Sequence, residues 1–217
     1  HILLAFAFPV LLVAGAPWVP LWYVLPVGPR RRIGRFLYLS PTTSGLRAFG
    51  RFLRRPDVAV VSFNAVMVVW HFPGPFTFAE QNALAHIWLM HASFIVTGVL
   101  FWLQIIPSHP MRPARGPVWQ CGALLATNVV MTVLAMSMSI LASANWYPTY
   151  AHVPGVTFGP FADQQLGAAI LWVCGDFWAL PALLICIRRA ITADGSLSAA
   201  LDHAIHSRAE RDPLSLA

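Results

Sequence analysis

The chain is 217 residues long, 58% hydrophobic and only 10% charged, with a mean hydropathy of +0.65. A soluble globule of that size would have to show water a largely apolar surface, so the composition excludes that class and points to lipid as the solvent. The formal charge of +6 comes from 14 arginines, without a lysine, against 8 acidic residues, and the arginines fall in loops instead of lining one face, which argues against a nucleic-acid partner.

Five apolar runs are long enough to cross a bilayer, which takes about twenty residues: 1–25, 57–71, 78–106, 118–142 and 163–187. The expected fold is therefore an all-α, multi-pass transmembrane bundle over residues 1–190, followed by a cytoplasmic tail at 191–217. The first run begins at His1 without a basic leader or a small-residue cleavage site, as expected of a piece of a longer protein and not of a signal peptide. Pro9, Pro17 and Pro20 predict that this run is kinked or ends early.

Between the first two runs lie Arg30, Arg31, Arg32, Arg35, Arg47, Arg51, Arg54 and Arg55. There Leu46, Phe49, Phe52 and Leu53 alternate with arginines at helical spacing, as in an amphipathic helix on anionic lipid. The second run is short and can extend to Phe76. Arg112 and Arg115 follow the third run, and Arg188 and Arg189 the fifth; the alternate loops, 72–77 and 143–162, hold neither Arg nor Lys. The positive-inside rule then puts the arginine loops in the cytoplasm, the N-terminal end outside and the C-terminal end inside the cell membrane. Cys121, Cys174 and Cys186 lie in or beside apolar runs, with no metal-finger spacing, and read as packing residues.

That orientation gathers histidines near the outer surface. His1 opens the first run, His71 closes the second, and His86 sits in the outer part of the third, with His91 about five residues deeper. On an α-helix His86 and Met90 share a face while His86 and His91 diverge by about 140°, so one helix is not expected to offer both imidazoles to one ion. Met131 and Met138 share a stripe in the fourth run. Imidazole with thioether is a soft ligand set suited to copper, above all Cu(I), whereas methionines at helical spacing also serve as plain packing. His109, His203 and His206 read as solvated.

Asp176 lies near the middle of the fifth run, where an ionised carboxylate costs a few kcal/mol unless paired. It could be neutralised, bond Asn64 or Asn128, or pair with His91. Trp146, Tyr147 and Tyr150 suit an interfacial aromatic belt, and Asp163, Gln164 and Gln165 open the fifth run, where Asp favours a helix N-terminus.

Several of these residues fall in an order that resembles a known family. His1 leads a Leu-rich span closing in Gly15-Ala16-Pro17; Trp70-His71-Phe72-Pro73 follows, then His86, His91 and Phe101-Trp102, then Tyr147-Pro148-Thr149-Tyr150, then Asp163-Gln164-Gln165-Leu166-Gly167 leading to Trp172. The set resembles the CtaG family of cytochrome c oxidase assembly factors, from His1 to about Arg189. The resemblance implies a non-enzymatic membrane protein that works with oxidase subunits, and with a copper donor protein, to insert copper from the outer side; it also implies further spans before His1, as in fusions to a CopD domain. On that reading His1, His71 and His86 are candidate ligands, with His91, Met90 and Met138 as a deeper or transient set. A membrane subunit carrying b-type haem between two histidines, or a metal permease with Asp176 on its path, are the competing expectations.

Overall fold

The computed structural model describes residues 1–147, 150 and 159–209; Pro148 and Thr149 of the tyrosine-flanked run lie outside them, as does the end of the tail. Among the described residues every regular element is helical. In chain order these are α1 (Leu3–Gly15), α2 (Trp18–Val24), α3 (Val27–Leu39), α4 (Ser44–Leu53), α5 (Pro56–His71), α6 (Pro73–Gln81), α7 (Ala85–Ile105), α8 (Pro117–Ser139), α9 (Pro160–Asp194) and α10 (Leu197–Ala209). Three of them, α7, α8 and α9, are long and apolar enough to cross a membrane, and the bent pairs α1–α2 and α5–α6 bring the number to as many as five. The all-α membrane-type bundle expected from the sequence is what folds.

The boundaries shift where local chemistry intervenes. The first run breaks at Ala16, which is left-handed (φ 45°), and Pro17 starts the next helix at an angle of 53°. The third run does not start at residue 78: residues up to Gln81 belong to α6, and α7 begins only after Asn82, whose side-chain oxygen accepts from the Ala85 N–H at 3.2 Å. The amphipathic helix is α4, but Arg47 turns to the protein. It donates to the carbonyls of Leu37 and Ser40 at the end of α3, and to Thr43 Oγ1.

The chain forms two compact units, His1–Trp70 with Phe78–Ala114, and His71–Thr77 with Arg115–Ala217. In the first, α1 packs on α7. Phe63 stacks on Phe101 at 4.9 Å and meets Phe6 edge-on at 5.6 Å, giving a buried aromatic core. Pro9 has no N–H for the Ala5 carbonyl and its ring crowds that oxygen, so the turn before it widens into a π turn over Leu3–Ala7. The displaced backbone lies over Gly98. A Cβ at Gly98 would come within 2.8 Å of the Ala5 carbonyl oxygen and 2.8 Å of Pro9 Cγ.

In the second unit α8 and α9 run antiparallel and are joined at three levels. Gln164 and Gln165 bond the last carbonyls of α8, Asn128 donates to Asp176 midway, and Gln120 accepts from Cys186 at 3.5 Å and Arg189 at 3.4 Å at the far end. Among the partners open to Asp176, Asn128 in its own unit donates to it, while Asn64 donates within its own helix to Val60. The other side of α9 presents Val173, Phe177, Leu180 and Leu184 as an exposed apolar stripe, as lipid requires.

Gly98 sets how closely α1 can approach α7. Alanine is ordinarily the better helix former by about 1 kcal/mol, but here its methyl meets a backbone oxygen that cannot swing aside. Gly98→Ala should lower stability by about 1–3 kcal/mol, read as a lower melting temperature in detergent; a melting temperature at or above that of the native protein would show that the α1–α7 approach is looser than this.

Candidate metal centre

The first unit brings three imidazoles together. Ring centroids of His86 and His91 lie 4.5 Å apart with planes at 90°, and His1 sits 5.7 Å from His86 and 5.3 Å from His91. One nitrogen from each ring can be chosen so that all three lie within 4.8 Å of one another. The divergence expected between His86 and His91 is therefore overturned. Residues Ala85–His91 form a π turn, whose wider winding of about 4.4 residues brings a five-residue spacing back to nearly one face. The π turn does for His86 and His91 what an α turn does for residues four apart.

The surroundings hold that turn. Ser93 Oγ donates to the Met90 carbonyl at 2.7 Å and accepts from Trp70 Nε1 at 2.9 Å, so α5 braces the change from π to α winding in α7. The His1 carbonyl accepts from the Ala5 N–H at 2.8 Å, fixing the residue in the first turn of its helix, and the buried Phe94 ring stands 5.4 Å behind its imidazole. Glu80, at the end of α6, places Oε1 3.1 Å from His86 Nδ1. Neither Glu80 nor Ser93 stood out in the sequence, because one is a lone carboxylate before a break and the other a lone hydroxyl in an apolar run.

Three imidazoles fit a metal ion. Nitrogens sharing one ion at about 2.0–2.1 Å lie roughly 3–4 Å apart, so side-chain rotations that move the rings by about 1 Å would close the set. Imidazole suits copper, zinc, iron and nickel, and the nitrogen donors do not choose among them. Met90 is wholly buried one residue before His91. His1 is exposed, while His86 and His91 are half-buried, so the centre is reachable from one side.

The remaining sequence candidates gather in the second unit. Tyr147 is buried and not part of an exposed belt; its hydroxyl donates to the His71 carbonyl at 2.7 Å and lies 3.9 Å from Met138 Sδ. Phe76 packs on its ring at 4.6 Å and on Tyr150 at 6.0 Å. Asn145 clasps the Tyr147 backbone on both sides, accepting from its N–H at 3.0 Å and donating to its carbonyl at 2.9 Å. Gln164 is buried, accepts from the Trp146 N–H at 2.6 Å and donates to the Met138 carbonyl at 2.8 Å, while Gln165 donates to the Ser139 carbonyl at 2.9 Å. Asp163 does not open the helix: α9 starts three residues earlier after Gly159, leaving Asp163 exposed in the first turn, where its charge still suits the dipole. Asp176 keeps to its bond with Asn128.

The family model described as Cytochrome c oxidase caa3 assembly factor (Caa3_CtaG) matches residues 1–193. No curated protein and no solved structure matches the chain.

Burial, with Tyr150 as the lesser cause, raises the Tyr147 hydroxyl from 10.0 to about 12. The folded chain thus holds this proton more tightly than the unfolded one, so the stabilisation is whole below pH 10 and disappears as the pH climbs through 12. Tyr147→Phe should cost about 1 kcal/mol near neutral pH through the lost bond to the His71 carbonyl. Its deficit in melting temperature against the native chain should shrink between pH 10 and 12; a constant deficit would place the hydroxyl outside the fold.

Proposed function

The chain belongs to the family of cytochrome c oxidase caa3 assembly factors, and from that premise we propose that it receives copper on His1, His86 and His91 and passes it to an oxidase subunit within the membrane. The observation that carries this reading is the convergence of three imidazoles from two helices at one accessible point. A haem–copper oxidase cannot be completed without copper, so a copper-competent donor set in an assembly factor has a natural cargo.

Three nitrogens leave a coordination position open. An open position suits hand-over, since an incoming ligand from the acceptor can bind before the donor lets go. Met90, next to His91, is a candidate for transient ligation during the transfer. The arginine-free loops support a placement of His1 and His86 toward the outer face, with a copper donor protein meeting the chain there. The role is that of a carrier and not of a catalyst: copper is the cargo, and no bond of a substrate is made or broken.

Metal content measured by mass spectrometry on the detergent-purified chain, after anaerobic loading with Cu(I) and removal of excess, tests the reading. The expected result is a single copper per chain, reduced to background in the His86→Ala and His91→Ala variants, with no haem absorbance in the visible spectrum of the same sample. In cells, those variants should leave the oxidase short of copper. Failure of the native chain to retain copper, or full loading of the double variant, would sink the proposal.

A further inference from the structure

Glu80 occupies the penultimate position of α6, and the short break after it turns the chain into the π-wound start of α7. The Asn82 carbonyl accepts from the His86 N–H at 2.9 Å and the Asn82 side chain from the Ala85 N–H, so the link between carboxylate and imidazole is fixed by backbone and not by long flexible stems. Across it, Glu80 Oε1 lies 3.1 Å from His86 Nδ1, and both side chains are only 26% exposed. The contact therefore differs from a solvated surface pair, in which the two groups would part freely.

A neutral imidazole has one N–H and one lone pair, and the partner of one nitrogen decides the state of the other. A carboxylate facing Nδ1 accepts its N–H and leaves the lone pair on Nε2. An imidazole whose far nitrogen is bonded in this way is also better oriented and more basic toward a metal. The tautomer matters here because the His86 ring must serve an ion with His1 and His91 through one nitrogen while Glu80 occupies the other.

We propose that Glu80 is a positioning residue of the three-histidine centre, accepting the Nδ1 hydrogen of His86 and committing that ring to bind metal through Nε2. This rests on the reading of the trio as a metal centre. Glu80 touches no ion itself; it acts through His86.

The experiment has a metal-free arm and a loaded arm. In the metal-free, ¹⁵N-histidine-labelled full chain in detergent, held at a pH well above the ordinary imidazole range so that the neutral ring is observed, the nitrogen shifts of His86, assigned by their loss in His86→Ala, should report the tautomer with hydrogen on Nδ1. Glu80→Ala should convert this to a mixture of tautomers, while Glu80→Gln, whose amide oxygen can still accept, should keep the Nδ1–H form. In the loaded arm, Cu(I) affinity measured by competition with a colorimetric chelator should fall about ten- to a hundredfold in Glu80→Ala and less in Glu80→Gln. An imidazolium or an Nε2–H tautomer in the native chain, or undiminished affinity in Glu80→Ala, would overturn the role given to Glu80. Absence of copper from a native chain that shows the Nδ1–H tautomer would instead overturn the metal reading, so the two failures are told apart.

Discussion

A helix end or an opened turn leaves carbonyl oxygens without a backbone donor, and in apolar surroundings no water replaces it. That constraint recurs at the points that shape this protein. Ser93 serves the Met90 carbonyl at the end of the π turn, and Ser108 serves the Val13 carbonyl near the end of α1. Arg47 and Thr43 collect the last carbonyls of α3. In the second unit Gln164 and Gln165 take the carbonyls of Met138 and Ser139, and Tyr147 takes that of His71. Several of the polar residues scattered through an apolar sequence are thus the donors that its helix ends need.

The three-histidine cluster depends on the same accommodation. Five-residue spacing on an α-helix would send His86 and His91 to different faces, and the π turn that reunites them perturbs the backbone bonding that Ser93 and Trp70 stabilise. The second π turn, ahead of Pro9, displaces α1 toward Gly98, the residue of α7 with no side chain to obstruct it. Both irregularities fall on the two helices that carry the histidines. Irregular winding here is a means of aiming side chains, supported by neighbours that make up for the perturbed bonds.

The α8–α9 pair shows how polar groups serve association where burial against lipid gives little driving force. Its three contact levels use Gln, Asn, Asp and Arg at opposite ends and in the middle of the pair, so the two helices are fixed in register. Asp176, which the sequence left open among several partners, accepts from one amide on the adjacent helix.

The helical class, the apolar segments, the kink at Pro17 and the candidate histidines were legible in the sequence, because bilayer length, proline chemistry and residue type act locally and show in one dimension. The family match over residues 1–193 agrees with the ordered residues that suggested it. The sequence could not show that His86 and His91 face one point, since a five-residue spacing shares a face only where the backbone winds as a π turn, which the spacing itself does not announce. Nor could it single out Glu80, whose partner is set by the short break at Asn82, or separate Tyr147 from the aromatic residues around it. Local chemistry determined which segments are helices, where a proline breaks or widens them, and which residues could bind a metal; packing between helices decided which of those residues meet, because the approach of His1 to His86 and His91 joins residues far apart in the chain.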